Sequence, residues 1–253
     1  MKTLKEELKN VTLRVHSFES GGTVDGPGIR FVVFTQGCPL RCQYCHNPDT
    51  WQINAGKVYT GQQIVDEVLK YKTFMQFSKG GVTFSGGEPL VQKKALVPIF
   101  KALKNAGVHI AIDTAGTTNI DDVTRELVSL VDLVLLDVKH IDPLGHKQLT
   151  GMTNKHCFDF LDLLKQMGVK TWIRWVIVPG INETESYAER FLEFVKPYDN
   201  VELVELLPYH QSGIFKWKEL GIPYQLSNTK VPDKEVVEEI ASILESGHIK
   251  TLY

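Results

Sequence analysis

Three of the chain's four cysteines, Cys38, Cys42 and Cys45, fall within eight consecutive residues. Four cysteines in 253 residues are too few for a disulfide framework, and such crowding asks for a metal. Thiolates separated by three and then two residues, with Pro39 beside the first, can wrap a loop around a compact inorganic centre. Zinc is one candidate, because the adjacent His46 would complete a Cys3His set. Structural zinc sites, however, draw their ligands as two separated pairs, and the sequence has no second pair. Three thiolates suit a cube of four irons whose fourth iron is left to another ligand. Cys157 stands alone and reads as a small buried hydrophobe.

A second set of polar residues follows at intervals. Ser85-Gly86-Gly87-Glu88-Pro89 begins forty residues beyond Cys45, and paired glycines let a backbone come close to a ligand or make a simple turn. Asp113 and Asp137 are carboxylates that need a counter-charge if they approach one another. Lys139 and Arg174 would supply it, or a small cation would sit among Asp113, Thr114 and Asp137 as hard oxygen ligands. Solvated strand ends are the plainer reading of each. His210 closes the series.

These residues need elements to position them. From residue 29 onward short apolar runs alternate with amphipathic stretches, the pattern of repeated strand and helix units in a parallel sheet. Six runs stand out: Ile29 to Thr35, Gly81 to Phe84, Val108 to Asp113, Val131 to Val138, Thr171 to Val178 and Val201 to Leu207. Each is dense in apolar residues, as strands covered on both faces must be. Helical spacing recurs between and after them, through Ile64 and Val68, Leu96 and Phe100, Val123 and Leu127, Phe158 and Leu161, Tyr187 and Phe191, and Val236 and Ile240. Thr60 with Gln63 reads as a capping box, Thr184 and Asp233 as N-caps, and Gly107 and Gly168 as helix terminators. Pro98 predicts a kink or a late start in its helix.

Six units are two short of a closed eightfold barrel, so the expected fold is α/β, a partial (β/α)6 TIM-like barrel with parallel strands in a single domain, residues 29–253. A flat doubly wound sheet is the alternative. In either, chemistry belongs at the C-terminal ends of the strands, where Cys38, Gly86 to Glu88, Asp113, Asp137, Lys139, Arg174 and His210 all fall. Residues 1–28, with Gly21, Gly22, Gly26, Pro27 and Gly28, read as an N-terminal extension and loop.

The formal charge of -2, from 28 basic and 30 acidic residues, gives no broad basic field for nucleic acid. The sequence has no run of eighteen apolar residues, and its first residues lack the apolar core of a secretory signal. The expected location is the cytoplasm, with no membrane partner.

The string Cys38-Pro39-Leu40-Arg41-Cys42-Gln43-Tyr44-Cys45 resembles the cluster motif of the radical S-adenosylmethionine enzymes. The resemblance implies a [4Fe-4S] cluster on Cys38, Cys42 and Cys45, with S-adenosylmethionine on the open iron. It places Tyr44 beside the adenine, although ordinary packing would also explain an aromatic there. It assigns His46, Gly86, Gly87, Glu88, Asp113, Lys139, Arg174 and His210 to holding the cosubstrate. Over nearly its full length the chain resembles one branch of that family, the activases of glycyl radical enzymes whose partner is pyruvate formate-lyase. The residues that carry this are Thr23 to Arg30, Gln36 to Cys38, Cys45 to Trp51, Leu136 to Lys139 and Leu206 to His210. Other activases carry an inserted segment with additional cysteines, and none is present between Cys45 and Thr60.

The resemblance implies reductive cleavage of S-adenosylmethionine to a 5'-deoxyadenosyl radical that takes hydrogen from a glycine of the partner, with a flavodoxin-type electron donor. Asp25 to Gly28 would help receive the glycine loop, or would form a tight turn. Rival readings are a radical enzyme acting on a small molecule or on another glycyl radical enzyme, a structural zinc clip, and a simple electron carrier, which would need a fourth cysteine ligand.

Overall fold

A computed structural model describes residues 3–253. The order begins α1 (Leu4–Asn10), β1 (Thr12–Gly22), β2 (Arg30–Thr35), β3 (Lys57–Thr60), α2 (Gly61–Leu69), α3 (Lys72–Phe77), β4 (Gly81–Gly86), α4 (Lys93–Asn105), β5 (Ile110–Thr114), α5 (Asp122–Ser129) and β6 (Leu133–Asp137). It continues with α6 (Pro143–Thr150), α7 (Lys155–Gln166), β7 (Thr171–Ile177), α8 (Glu185–Val195), β8 (Val201–Pro208), α9 (Ile214–Glu219), α10 (Lys234–Ser246) and β9 (Thr251–Leu252). The strands hydrogen-bond in the order β3-β1-β2-β4-β5-β6-β7-β8-β9, so the sheet has edges and is open rather than closed.

The six strands expected from the sequence are β2, β4, β5, β6, β7 and β8, and they are consecutive in the sheet. The chain groups into two compact units, residues up to Pro39 with Thr50–Leu135, and Leu40–Asp49 with Leu136–Tyr253.

In the first unit β2 pairs in parallel with β4, and β4 with β5. Phe31, Val32, Val33, Val82, Phe84, Ile110 and Ile112 are all buried, and Phe84 meets Phe100 of α4 with ring centroids 4.8 Å apart. Thr60 caps α2 in the reciprocal arrangement with Gln63 that its sequence predicts. Pro98 lies inside α4, which starts at Lys93, so the late start does not occur.

The expectation of a loop over residues 1–28 is corrected for residues 3–28, Met1 and Lys2 lying outside the described residues. Thr3 and Glu6 form a capping box on α1, and β1 pairs antiparallel with both β2 and β3. This strand escapes the periodic signal because its buried positions are Leu13, Val15 and Gly22, with Glu19, Ser20 and Gly21 exposed between them. The sheet is therefore mixed at this end. Among the described residues before β2, the longest irregular stretch is 23–29.

Arg30 pins that turn. Its guanidinium, fully buried, donates to Val82 O at 2.6 Å, Thr83 Oγ1 at 2.9 Å and Pro27 O at 3.4 Å, while Thr83 Oγ1 donates to Asp25 O at 2.7 Å. Asp25 to Gly28 precede β2 and Cys38 follows it, so the turn and the first cysteine lie at opposite ends of one strand. The tight-turn reading of this motif fits that placement.

In the second unit β7 pairs in parallel with β8 and β8 with β9; Arg174, expected at the C-terminal end of its strand, stands instead in the middle of β7, in register with Glu205. Trp175 stacks on Phe191 of α8 at 4.3 Å. Thr184 accepts from Tyr187 N as an N-cap, whereas Asp233 stands at the cap of α10 without a side-chain bond.

Candidate radical cofactor site

In the first unit, Cys38 follows β2 and donates its N–H to Trp51 O at 3.3 Å. The Gly86-Gly87 pair is needed for contacts within this unit. Gly86 has φ +101°, and a Cβ on Gly87 would lie 2.4 Å from Gly37 O. That close approach lets Gly87 N bond Thr35 O at 2.9 Å and Glu88 N bond Gly37 O at 2.8 Å. The glycines thus knit the residues after β4 to those just before Cys38.

Glu88 is 1% exposed and has protein partners on both oxygens. Oε1 accepts from the Thr114 hydroxyl and from Leu90 N at 3.1 Å, and Oε2 accepts from Ala115 N at 2.9 Å. It therefore ties the ends of β4 and β5 together, a role the sequence does not reveal. Asp113 Oδ2 accepts from Ser85 Oγ at 2.6 Å, and Thr114 Oγ1 accepts from Gly116 N at 2.9 Å. The expected cation ligands Asp113 and Thr114 are thus engaged by protein groups, and Asp137 belongs to the second unit with a partner of its own.

Burial pushes the Glu88 carboxyl up to about 7, although its hydrogen bonds from Thr114, Leu90 and Ala115 pull the other way. A carboxyl with a raised folded pKa binds its proton more tightly folded than unfolded. Its stabilising contribution is therefore full below the ordinary 4.5 and is lost as pH rises through about 7. The expected loss across that window is on the order of 3 kcal/mol. Urea unfolding measured across the window checks this: Glu88→Gln, which does not titrate, lacks that component of the slope.

The second unit holds the rest of the loop. Arg41 N donates to Thr150 O at 2.7 Å and Gln43 N to Leu149 O at 3.0 Å, so the last carbonyls of α6 seat residues 41–43. Cys45 N bonds Cys42 O at 3.1 Å, and Asn47 N donates to Cys45 Sγ at 3.4 Å. Tyr44 packs with Leu149, Val178, Tyr209 and Leu226, and its buried hydroxyl finds no hydrogen-bond partner among the described residues.

Beside Tyr44 lies the Lys139 amine, 5.6 Å from the ring centre and 2.9 Å from Asp137 Oδ2. Burial alone would lower the Lys139 pKa, but Asp137, Tyr44 and Cys42 hold it well above 10.5. Arg174 Nε donates to Glu205 Oε2 at 2.8 Å, and Glu205 is a partner the sequence reading missed. No local pattern in the sequence points to it, because the pairing follows from the register of β7 and β8. His46 meets His210 with ring centroids 4.2 Å apart and planes tilted by 42°, and donates from Nε2 to His210 O at 3.1 Å, and burial keeps its pKa below 6.5.

The donor set fits an iron-sulfur cluster. Cys42 is 7% exposed, and burial pushes its thiol up to about 12, opposed by Lys139. A buried thiol of this kind ionises when a metal replaces its proton. Cys157 is turned elsewhere, its Sγ 3.7 Å from Asp137 O. Among the described residues no three His, Cys, Asp or Glu side chains gather about one point as a single metal ion requires.

An open, mostly parallel α/β sheet with this cysteine loop after its first parallel strand defines a radical S-adenosylmethionine enzyme. The model of the Radical SAM superfamily matches residues 32–195, well over half of the chain, and the chain belongs to that superfamily. Within it the chain belongs to the family of pyruvate formate-lyase-activating enzymes. It is 52% identical over 231 residues to the pyruvate formate-lyase-activating enzyme of Staphylococcus epidermidis, covering 89% of this chain and 92% of that one. To the pyruvate formate-lyase 1-activating enzyme of Escherichia coli strain K12 it is 46% identical over 237 residues, 93% and 96% of the two chains.

Among solved structures, a domain of pyruvate-formate lyase-activating enzyme from Bacteroides vulgatus aligns with a TM-score of 0.58 and 25% identity, over 68% of this chain and 98% of that one. Streptococcus suis SuiB bound to precursor peptide SuiA aligns with a TM-score of 0.67 and 14% identity, over 90% of this chain and 49% of that one, and supports the fold. No helix among the described residues is long and apolar enough to cross a membrane.

Proposed function

We propose that this chain is the activase of pyruvate formate-lyase, and that residues 38–45 carry its [4Fe-4S] cluster. The observation that carries the reading is the three-cysteine loop itself, with Cys42 buried and residues 41–43 seated by the last carbonyls of α6. When bound, the cluster and S-adenosylmethionine supply one-electron cleavage to a 5'-deoxyadenosyl radical, which takes hydrogen from a glycine of the partner. Cys38, Cys42 and Cys45 hold iron. An ammonium has three donors and one of Lys139's serves Asp137, so Lys139 would have hydrogens left for the methionine carboxylate. Arg174, balanced by Glu205, adds hydrogen-bond direction rather than net charge.

His210, exposed at the end of β8, and Asp113, at the end of β5, complete the candidate cosubstrate contacts. Gly86, Gly87 and Glu88 shape the loop after β4. No side-chain acid or base is called for, and the electron comes from a flavodoxin-type donor. Three thiols that must stay reduced fit the cytoplasm.

The test is electron paramagnetic resonance after anaerobic incubation with reductant, S-adenosylmethionine and purified pyruvate formate-lyase. A glycyl signal in the partner is the expected result. Cleavage of S-adenosylmethionine with a silent partner would overturn the assignment in favour of another substrate.

A further inference from the structure

The cysteine loop is held at its far end by a helix that the proposed chemistry does not use. Trp217 of α9 donates its indole N–H to Cys45 O at 2.8 Å. Lys216 donates to Asn47 Oδ1 at 2.9 Å and pairs with Asp49 Oδ2 at 3.0 Å. Gly213, which caps α9, lies so close that a Cβ there would stand 2.7 Å from His46 Cα. Gly213, Lys216 and Trp217 are spaced i, i+3 and i+4, one face of a helix, and all three meet residues 45–49. The next residue, Lys218, is exposed, as is Phe215.

Trp217 is itself immobilised. It is 3% exposed and meets Tyr224 edge-on at 5.1 Å. Tyr224 Oη hydrogen-bonds Tyr209 Oη at 2.9 Å, and Tyr209 donates to Leu226 O at 3.1 Å. A fixed indole therefore fixes a carbonyl of the third cysteine. Residues 41–43 are seated by backbone carbonyls of α6, whereas at the other end Trp217 and Lys216 act through side chains, which substitution can remove one at a time.

We propose that Trp217 and Lys216 are positioning residues that hold the Cys45 end of the loop in its cluster-binding shape. The proposal rests on the reading that this loop carries the cluster. Ordering a flexible loop costs conformational entropy when the metal arrives, and contacts made beforehand lessen that cost. Partners of metal ligands typically alter metal affinity by about 10- to 100-fold when removed.

The experiment compares reconstituted wild type, Trp217→Phe, Lys216→Met and Lys216→Arg for cluster loss to a chelator and for the paramagnetic spectrum of the reduced cluster. Expected are cluster loss roughly 10-fold faster in Trp217→Phe and Lys216→Met, an altered spectrum in Trp217→Phe, and wild-type retention in Lys216→Arg. Wild-type retention and spectra in both Trp217→Phe and Lys216→Met, even with a lowered melting temperature, would show packing alone and overturn the proposal. Lys216→Met keeps the test open should Trp217→Phe fail to fold. Failure of the wild type to take up iron would instead sink the cluster reading itself.

Discussion

Replacing Cys42 by alanine is expected to leave a folded chain that takes up only traces of iron and sulfide and cleaves S-adenosylmethionine at background, a loss of at least about 10³-fold, or ~4 kcal/mol in the barrier. Removing one small buried side chain deletes few contacts, so the fold should survive at a cost of about 1 kcal/mol. The cofactor should not. Two thiolates remain, and Cys157, 3.7 Å from Asp137 O in the second unit, is committed elsewhere. Because burial pushes the Cys42 thiol up to about 12, it enters the metal site as a protonated group. Each thiol that takes iron then releases a proton, and the apparent affinity for iron falls as pH is lowered. Iron and sulfide analysis after anaerobic reconstitution, beside a circular dichroism spectrum of the same sample, checks both halves. Retained cleavage would refute the assignment of the ligand.

The second large effect is expected at Lys139. Its amine and the Asp137 carboxylate are 12% and 23% exposed at 2.9 Å, so Lys139→Met leaves a carboxylate in a poorly hydrated place. Breaking such a pair costs about 3 kcal/mol of stability, read from urea unfolding. Asp137→Asn with Lys139→Met removes both charges and should recover most of that loss. Binding separates the two roles. If the ammonium holds the methionine carboxylate, both variants bind S-adenosylmethionine about 30-fold more weakly, ~2 kcal/mol, although the double variant is stable. Recovery of affinity along with stability would make Lys139 a purely structural partner of Asp137.

The strands that can be read from the sequence share one physical property. β2, β4, β5, β6, β7 and β8 begin within two residues of the expected positions because strands in a covered parallel sheet must be apolar nearly throughout. The strand β1 lies beside β3, toward the open edge, and buries Leu13, Val15 and Gly22 among exposed polar residues, so its alternation is incomplete. β3 and β9 are four and two residues long and carry too little pattern to read. Capping was legible at Thr60 and Thr184, whose hydrogen bonds close within three residues.

By itself the amino-acid sequence determined the cysteine loop, the six apolar strands and the strand ends that Asp113 and Asp137 occupy, because each follows from spacing along a short stretch of chain. The tertiary structure alone decided the partners. Glu88 bonds Thr114 and Ala115, Arg174 meets Glu205, Tyr44 packs against Tyr209, and Trp217 reaches Cys45 across 172 residues of sequence. A buried charge or donor must find a complement somewhere, but the fold, not the local sequence, sets which of several candidates comes within hydrogen-bonding distance.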